Sequence, residues 1–417
     1  MIFTTKGTKK ICAPGDTTPQ DDTTVQLSRR VQRIKPSPTL AITARAAQLR
    51  AEGRDIIGFG AGEPDFDTPE PIKAAAIEAI QAGFTKYTAV AGTQELRQAV
   101  CDKFRRDNGL EYTPDQILVS VGGKQSFYNL AQALLDAGDE VIIPAPYWVS
   151  YPDMVLLADA DPVIISTGLK QGFKITPGQL EQAITERTRL VVINSPSNPT
   201  GATYTRAELE ALGRVIKNYP RLMVASDDIY EHILLNNEPF TNILMACPDL
   251  HDQAIILNGV SKAYSMTGWR IGYAAGPLEL INAMKKIQSQ STSNPASISQ
   301  AAARAALEGD QSCIGVMTEA FRERHRFVVD ALNALPGVQC LPSTGAFYAF
   351  PYMQEAIDAI DGVDDDVAFG EHLINEAGVA LVPGSAFGAP GYMRLSFATS
   401  MDKLREGLDR IARVLKA

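Results

Sequence analysis

Five short apolar runs, each giving way to polar or glycine-rich residues, restrict this chain to very few architectures. They cover residues 116–121, 140–143, 189–194, 222–226 and 254–258. Each lacks the strict polar alternation of a half-exposed strand, so each reads as a strand buried on both faces. Between them lie longer amphipathic patterns, of which residues 124–135 are the clearest helix. Such alternation makes an α/β fold with a mostly parallel sheet covered by helices on both sides. Beyond about residue 315 the helices lengthen, and residues 345–350 and 391–397 are expected as strands of a smaller α+β domain.

Open parallel sheets bind ligands outside the carboxyl ends of their strands, and this chain concentrates its polar chemistry there. Gly122-Gly123-Lys124, Trp148, Asn198, Asp227, Tyr230 and Lys262 each follow an apolar run. Singly they have ordinary explanations. Asn198-Pro199-Thr200-Gly201 is a turn sequence, Asp227 a helix cap, Trp148 a core residue. Together they would share one rim.

Lys262 lies in Ser261-Lys262-Ala263-Tyr264-Ser265-Met266-Thr267-Gly268-Trp269-Arg270, where apolar neighbours would desolvate its ammonium and lower its pKa. A lysine in that state attacks carbonyls and forms Schiff bases. Arg270 is a permanent cation suited to a phosphate. The set matches a flat, anionic, aldehyde-bearing cofactor. A dinucleotide is not expected, although Gly58-Phe59-Gly60-Ala61-Gly62 contains Gly-x-Gly. Pro64 interrupts, and the next helix is expected to start with Thr68 as N-cap and Pro69 in its first position. These glycines would instead let backbone amides approach a small ligand.

Charge and composition remove other classes. A net charge of −9 argues against a nucleic-acid backbone or an anionic membrane as partner. Five scattered cysteines without a Cys-x-x-Cys pair read as reduced thiols of a cytoplasmic protein. The four histidines form no His-x-x-x-His pair, so no metal site is expected. No apolar stretch approaches the ~18 residues of a membrane-spanning helix. Residues 1–26, rich in Thr, Lys, Asp and Pro, lack a signal-peptide core and are expected to be a flexible extension.

Asn198-Pro199-Thr200-Gly201, Asp227-x-x-Tyr230, Ser261-Lys262 and Gly268-Trp269-Arg270, in that order, resemble the class I/II pyridoxal-phosphate-dependent aminotransferases of fold type I. Gly62-Glu63-Pro64-Asp65-Phe66 and Gly122-Gly123-Lys124-Gln125 resemble in particular the thermophile-like bacterial branch of aspartate aminotransferases. The resemblance covers nearly the whole chain from about residue 27. It implies a large cofactor-binding domain over residues 73–314, a small domain over 315–417, and a segment, 27–72, packing with the small domain.

The resemblance also implies roles. Lys262 would hold pyridoxal 5′-phosphate as a Schiff base and later shuttle the substrate Cα proton. Asp227 would pair with the pyridinium nitrogen, Asn198 and Tyr230 would bond the ring oxygen, and Trp148 would stack on the ring. The Gly122-Gly123-Lys124 backbone would cradle the phosphate at a helix N-terminus, assisted by Arg270 and Ser261. Tyr87 would reach the phosphate of the neighbouring subunit in a homodimer with shared sites. Arg394 would grip the α-carboxylate beside the Gly62 amide and Asn198.

Two positions depart from the animal and enteric branch. There, a partner-subunit arginine binds the side-chain carboxylate, whereas residues 287–303 contain no basic residue; Lys124 is the candidate substitute. Gly259 stands where that branch has a phosphate-binding serine. The activity implied is amino transfer between L-aspartate and 2-oxoglutarate, by ping-pong kinetics through a pyridoxamine form. Some relatives also aminate prephenate to arogenate; an aromatic, alanine or kynurenine aminotransferase is the next alternative. A cofactor-binding regulator would need a DNA-binding domain, which about 26 N-terminal residues cannot supply. Ser400-Met401-Asp402-Lys403 matches Ser-x-x-Lys without the companion motifs of a serine acyl-transferring enzyme. Ser400 is expected to cap the last helix.

Overall fold

Alternate side chains of a strand face opposite sides of its sheet, and in the central strands of this chain both sides are apolar. The computed structural model describes residues 25–36 and 38–416, so the expected flexible extension lies outside the described residues but for its last two. In chain order the strands are β1 (Ile57–Gly58), β2 (Ile117–Ser120), β3 (Glu140–Ala145), β4 (Asp161–Ser166), β5 (Thr188–Asn194) and β6 (Met223–Asp227). They continue with β7 (Ala254–Gly259), β8 (Gly272–Ala275), β9 (Tyr348–Ala349), β10 (Val379–Ala380), β11 (Val382–Pro383) and β12 (Met393–Ser396). Seven form one sheet in the order β2-β8-β7-β6-β5-β3-β4. Ile117, Val191 and Ile256 face one core while Leu118, Leu190 and Leu257 face the other. Full burial of such a side chain contributes about 1.5–3 kcal/mol.

All five expected strands form, and the run from β3 to β7 is parallel. Two further strands correct the sequence reading. β4 is an edge strand, half-exposed and opened by Asp161-Pro162, so it shows no continuous apolar run. β8 follows Lys262 and lies antiparallel to both β7 and β2, so β7 does not close the series. Its Gly-Tyr-Ala-Ala sequence is too poor in large apolar residues to read as a strand. Gly272 is needed there, because a Cβ would lie 2.2 Å from the Gly123 amide nitrogen. That contact seats the helix Gly123–Leu134 against the sheet.

The helix Glu70–Gln81 provides another correction. Its N-cap is Pro69, not Thr68. The Thr68 hydroxyl is engaged elsewhere: it donates to the Ser265 carbonyl at 2.7 Å and accepts from Trp269 Nε1 at 2.9 Å. This threonine fastens the loop after Lys262 rather than a helix end. The loop is also bent, with Ser265 and Arg270 at φ 50° and 57°. The left-handed region costs a non-glycine residue about 1–2 kcal/mol.

A third core gathers Phe321, Val328, Leu332, Phe347, Phe369, Leu395 and Ile411, together with Phe59 and Tyr230. The expected strand at 345–350 shortens to β9, because the chain turns at Ala346, where φ is 57°, and that at 391–397 shortens to β12. β1 pairs in parallel with β10, and Phe66 packs edge-on against Phe321 at 5.7 Å, so residues 57–66 adhere to this third core. Ser400 caps the final helix, Met401–Leu415, accepting from the Lys403 amide.

Gly272→Ala should lower stability by about 1–3 kcal/mol through overpacking. A fall in the denaturant midpoint with an unchanged slope would show it; an unchanged midpoint would mean that the Gly123 contact yields freely.

Candidate active site

The carboxyl ends of β3, β5, β6 and β7 and the amino end of the helix Gly123–Leu134 open on one cavity of about 420 Å³. Its wall includes Gly62, Gly123, Lys124, Trp148, Asn198, Asp227, Tyr230, Ser261, Lys262, Arg270 and Arg394. Of the residues proposed from the sequence, only Tyr87 stands apart; it is 92% exposed.

Lys262 leaves the sheet three residues after β7. Its ammonium donates to the Gly62 carbonyl at 2.5 Å and lies 5.7 Å from the Tyr230 ring centroid. Burial, then the Arg394 guanidinium, draw its pKa down to about 8; Arg270 adds to this, while Glu63 and Asp227 oppose it. The Gly62 group facing Lys262 is thus its carbonyl. A side chain at Gly62 would displace Tyr348, since a Cβ would lie 2.9 Å from the Tyr348 hydroxyl.

Asp227 ends β6. Its carboxylate accepts from the Tyr151 hydroxyl and, at 3.3 Å, from the Ile229 amide. Burial nevertheless raises its pKa, against Tyr151, the Ile229 amide and Lys262. A carboxylate so placed is completed by a cation. Tyr230 bonds the Tyr348 hydroxyl at 2.8 Å, and burial pushes its phenol well above the usual range, so it stays a neutral donor. The Asn198 side chain accepts from Arg394 at 2.8 Å, and the Asn198 backbone amide donates to Asn194 Oδ1 at 2.8 Å.

Arg394, on β12, is only 2% exposed. Besides Asn198 it donates to the Gly60 carbonyl at 2.7 Å, and it stacks on Tyr348 and Phe387 at 4.6 and 5.0 Å. No carboxylate pairs with it among the described residues, and its Nε has no partner. A buried charge without a counterion is strongly unfavourable, so the guanidinium is fitted to an incoming carboxylate.

At the cavity's other end, Gly122 has φ 80°, and a Cβ there would lie 2.4 Å from Arg270 Nη2. The guanidinium is thus pressed against the turn that opens the helix. Its Nη1 donates to the Thr267 carbonyl at 2.9 Å. Helix N-terminus and guanidinium form an anion cradle. Gly259 cannot be replaced by serine without disturbance, since a Cβ would lie 2.9 Å from Gly272 Cα. Lys124 stands on the rim, 5.1 Å from the Trp148 ring, its pKa lowered by burial and by Arg270.

Several residues in or behind the wall escape the sequence reading. Asn194, the last residue of β5, joins Asn198 to the Asp227 carbonyl; the strand-end rule that selects its neighbours selects it too. Tyr151 follows Trp148 at helical spacing, the only available signal. Tyr348 and Glu63, the latter accepting from Thr267 at 2.9 Å, reach the cavity from distant segments. Thr39, Leu40 and Thr43 do so from the helix Pro38–Ala51.

The described residues fit a flat anionic cofactor: a phosphate cradle, a carboxylate suited to a ring cation, and a low-pKa amine between them. The family model for aminotransferase class I and II matches residues 54–411. An aspartate/prephenate aminotransferase of Nitrosomonas europaea is 62% identical over 396 residues, covering 94% of this chain and 100% of that protein. An aspartate aminotransferase of Geobacillus stearothermophilus is 52% identical over 394 residues, with 94% and 100% covered. Among solved structures, aspartate aminotransferase from Thermus thermophilus with maleate superposes with a TM-score of 0.88 at 46% identity, covering 94% of this chain and all of that one. The aspartate aminotransferase from Rhizobium meliloti gives 0.91 at 47%, with 94% and 99% covered.

In the protein freed of cofactor, Lys262 should be labelled by an amine-directed reagent with a midpoint at about pH 8. Because a folded lysine pKa below the unfolded one penalises the charged form, this group should destabilise the fold fully below that midpoint. The penalty should fade as pH rises toward the ordinary lysine range. Peptide mass mapping across pH measures the midpoint; titration with the bulk lysines would contradict the burial argument.

Proposed function

As the chain belongs to the class I and II aminotransferases, we propose that it transfers the amino group of L-aspartate to 2-oxoglutarate, using pyridoxal 5′-phosphate. The observation that carries this reading is Arg394, a buried guanidinium without a carboxylate partner among the described residues, facing the low-pKa Lys262 across the cavity. When bound, the cofactor supplies an aldehyde for the amine and a ring that takes up the electron pair left at Cα. Asp227 holds the charge of the ring nitrogen. Asn198 and Tyr230 are donors for the ring oxygen, and Trp148 covers the ring. Gly123, Lys124, Ser261 and Arg270 hold the phosphate, the first two through first-turn amides.

Arg394 orients the α-carboxylate, with Asn198 and Gly62 beside it, at about 1.5–3 kcal/mol for a charge-assisted hydrogen bond. The Lys262 amine, displaced by substrate, holds and returns the Cα proton. A pKa near working pH makes it effective in both directions. Lys124 on the rim, held over the Trp148 ring, takes the second carboxylate of aspartate.

The second reading, that prephenate is also an amino acceptor, is favoured by the name of the Nitrosomonas europaea relative. We further assign residues 73–314 to the cofactor domain and 315–417 to the small domain, with 27–72 packed on the latter. The protein is proposed to be a homodimer with Tyr87 entering the partner's phosphate site. Exposed Ile77 and Ile80, near the end of the helix Glu70–Gln81, and exposed Phe84 beyond it support this. The described cysteines are unpaired, as in the cytoplasm, and no described helix is long and apolar enough to cross a membrane.

The decisive measurement is the visible absorption of the holoenzyme. L-Aspartate should abolish the cofactor band and 2-oxoglutarate should restore it; prephenate tested in the same way decides the second reading. A band indifferent to aspartate would discard the substrate, and no band with added cofactor would discard the reaction. Lys262→Ala should abolish turnover yet retain the cofactor non-covalently. Lys124→Ala should reduce kcat/KM for aspartate about ten- to hundredfold, as for a lost charge-assisted contact, and spare alanine. Equal losses for both substrates would remove Lys124 from selection.

A further inference from the structure

Behind the cavity lies a buried polar network to which the reaction assigns no part. Lys103, 1% exposed, ends the helix Gln94–Lys103 and pairs with Glu231, 4% exposed. Glu231 Oε2 accepts from Asn108 at 2.9 Å, and Oε1 from Asn258 at 2.7 Å. Asn108 in turn accepts from Lys103 at 2.7 Å. His232 Nε2 lies 3.4 Å from Glu231 and 3.5 Å from Asp107. A buried ion pair gives little net stability over a packed apolar pair.

The partners of the carboxylate lead in two directions. Asn108 and Lys103 lead back into the helical layer beside the sheet. Asn258 lies on β7, and its Oδ1 accepts from the Gly259 amide at 2.7 Å where the chain turns toward Lys262. Glu231 itself directly follows Tyr230 and stands four residues after Asp227. One carboxylate thus ties the segment that follows Asp227 at the end of β6, and that holds Tyr230, to the last residues of β7, just ahead of Lys262.

Resting on the transaminase reading, we propose that the Glu231–Asn258 hydrogen bond is a positioning device. It sets the distance between the ring-binding groups of β6 and the amine of β7, and Glu231 and Asn258 are positioning residues that touch neither cofactor nor substrate. A misplacement of about 1 Å at such a site can cost 10²-fold in rate, whereas substrate binding through Arg394 does not depend on this link.

The test compares two isosteric changes in the holoenzyme. Asn258→Asp and Asn108→Asp each remove one donor from Glu231 and set a like charge beside it, so both should lower thermal stability. Asn258→Asp should also reduce kcat about tenfold or more with KM for aspartate within about twofold, while Asn108→Asp should leave kcat near wild type. Equal falls in kcat, or none in Asn258→Asp, would overturn the proposal and leave the network purely structural. Should either aspartate variant fail to fold, Asn258→Ala and Asn108→Ala give the same comparison. A wild-type holoenzyme inert toward every amino donor would instead overturn the transaminase reading, and the proposal with it.

Discussion

The buried guanidinium of Arg394, without a carboxylate partner among the described residues, is the constraint on which the cavity depends. It is held by groups from three separate parts of the chain: Asn198 after β5, Gly60 after β1, and Tyr348 on β9. Without a carboxylate, such a charge survives burial only through several neutral acceptors and aromatic faces held in fixed positions. The third core, the segment 57–66 and the main sheet therefore meet around one cation. The same charge reaches the reacting end of the site, since Arg394 ranks next after burial in lowering the pKa of Lys262.

Glycines determine how closely these parts approach. Gly122 makes room for Arg270, Gly272 for the Gly123 amide, and Gly62 for the Tyr348 hydroxyl. Each absent Cβ brings backbone or a polar head into a place that a side chain would fill. Strain adds to this, with Ser265 and Arg270 both left-handed in the loop that begins at Lys262. Thr68 holds that loop closed from outside, bridging its Ser265 carbonyl and its Trp269 indole. Backbone strain retained at a reactive lysine by surrounding hydrogen bonds is the usual relation of strain to function.

The legible parts of the sequence were those with local causes. A strand buried on both faces is a continuous apolar run, and the residue after it lies on the ligand-binding rim, so Asp227, Asn198 and Lys262 could be selected without knowing what they touch. β8 could not, because Gly272-Tyr273-Ala274-Ala275 gains its strand character from pairing with β7 and β2. Thr68 reads locally as a cap, yet a tertiary partner, Ser265, takes its hydroxyl. Tyr151 and Tyr348 act on Asp227 and Tyr230 across 76 and 118 residues of chain, a relation without any local pattern.

The charges explain why a cofactor completes this site rather than merely occupying it. Four cations, Lys124, Lys262, Arg270 and Arg394, line the cavity against two carboxylates, Glu63 and Asp227. The cations lie toward opposite ends, Arg270 at the helix N-terminus and Arg394 on β12, with the Lys262 amine and the Asp227 carboxylate between them. An anion at the Arg270 end would relieve part of the repulsion on Lys262 and raise its pKa; a substrate carboxylate at Arg394 would do the same from the other side. Each binding event therefore returns proton affinity to the amine that must hold the Cα proton. The groups that recognise the ligands also tune the base, through charge rather than contact.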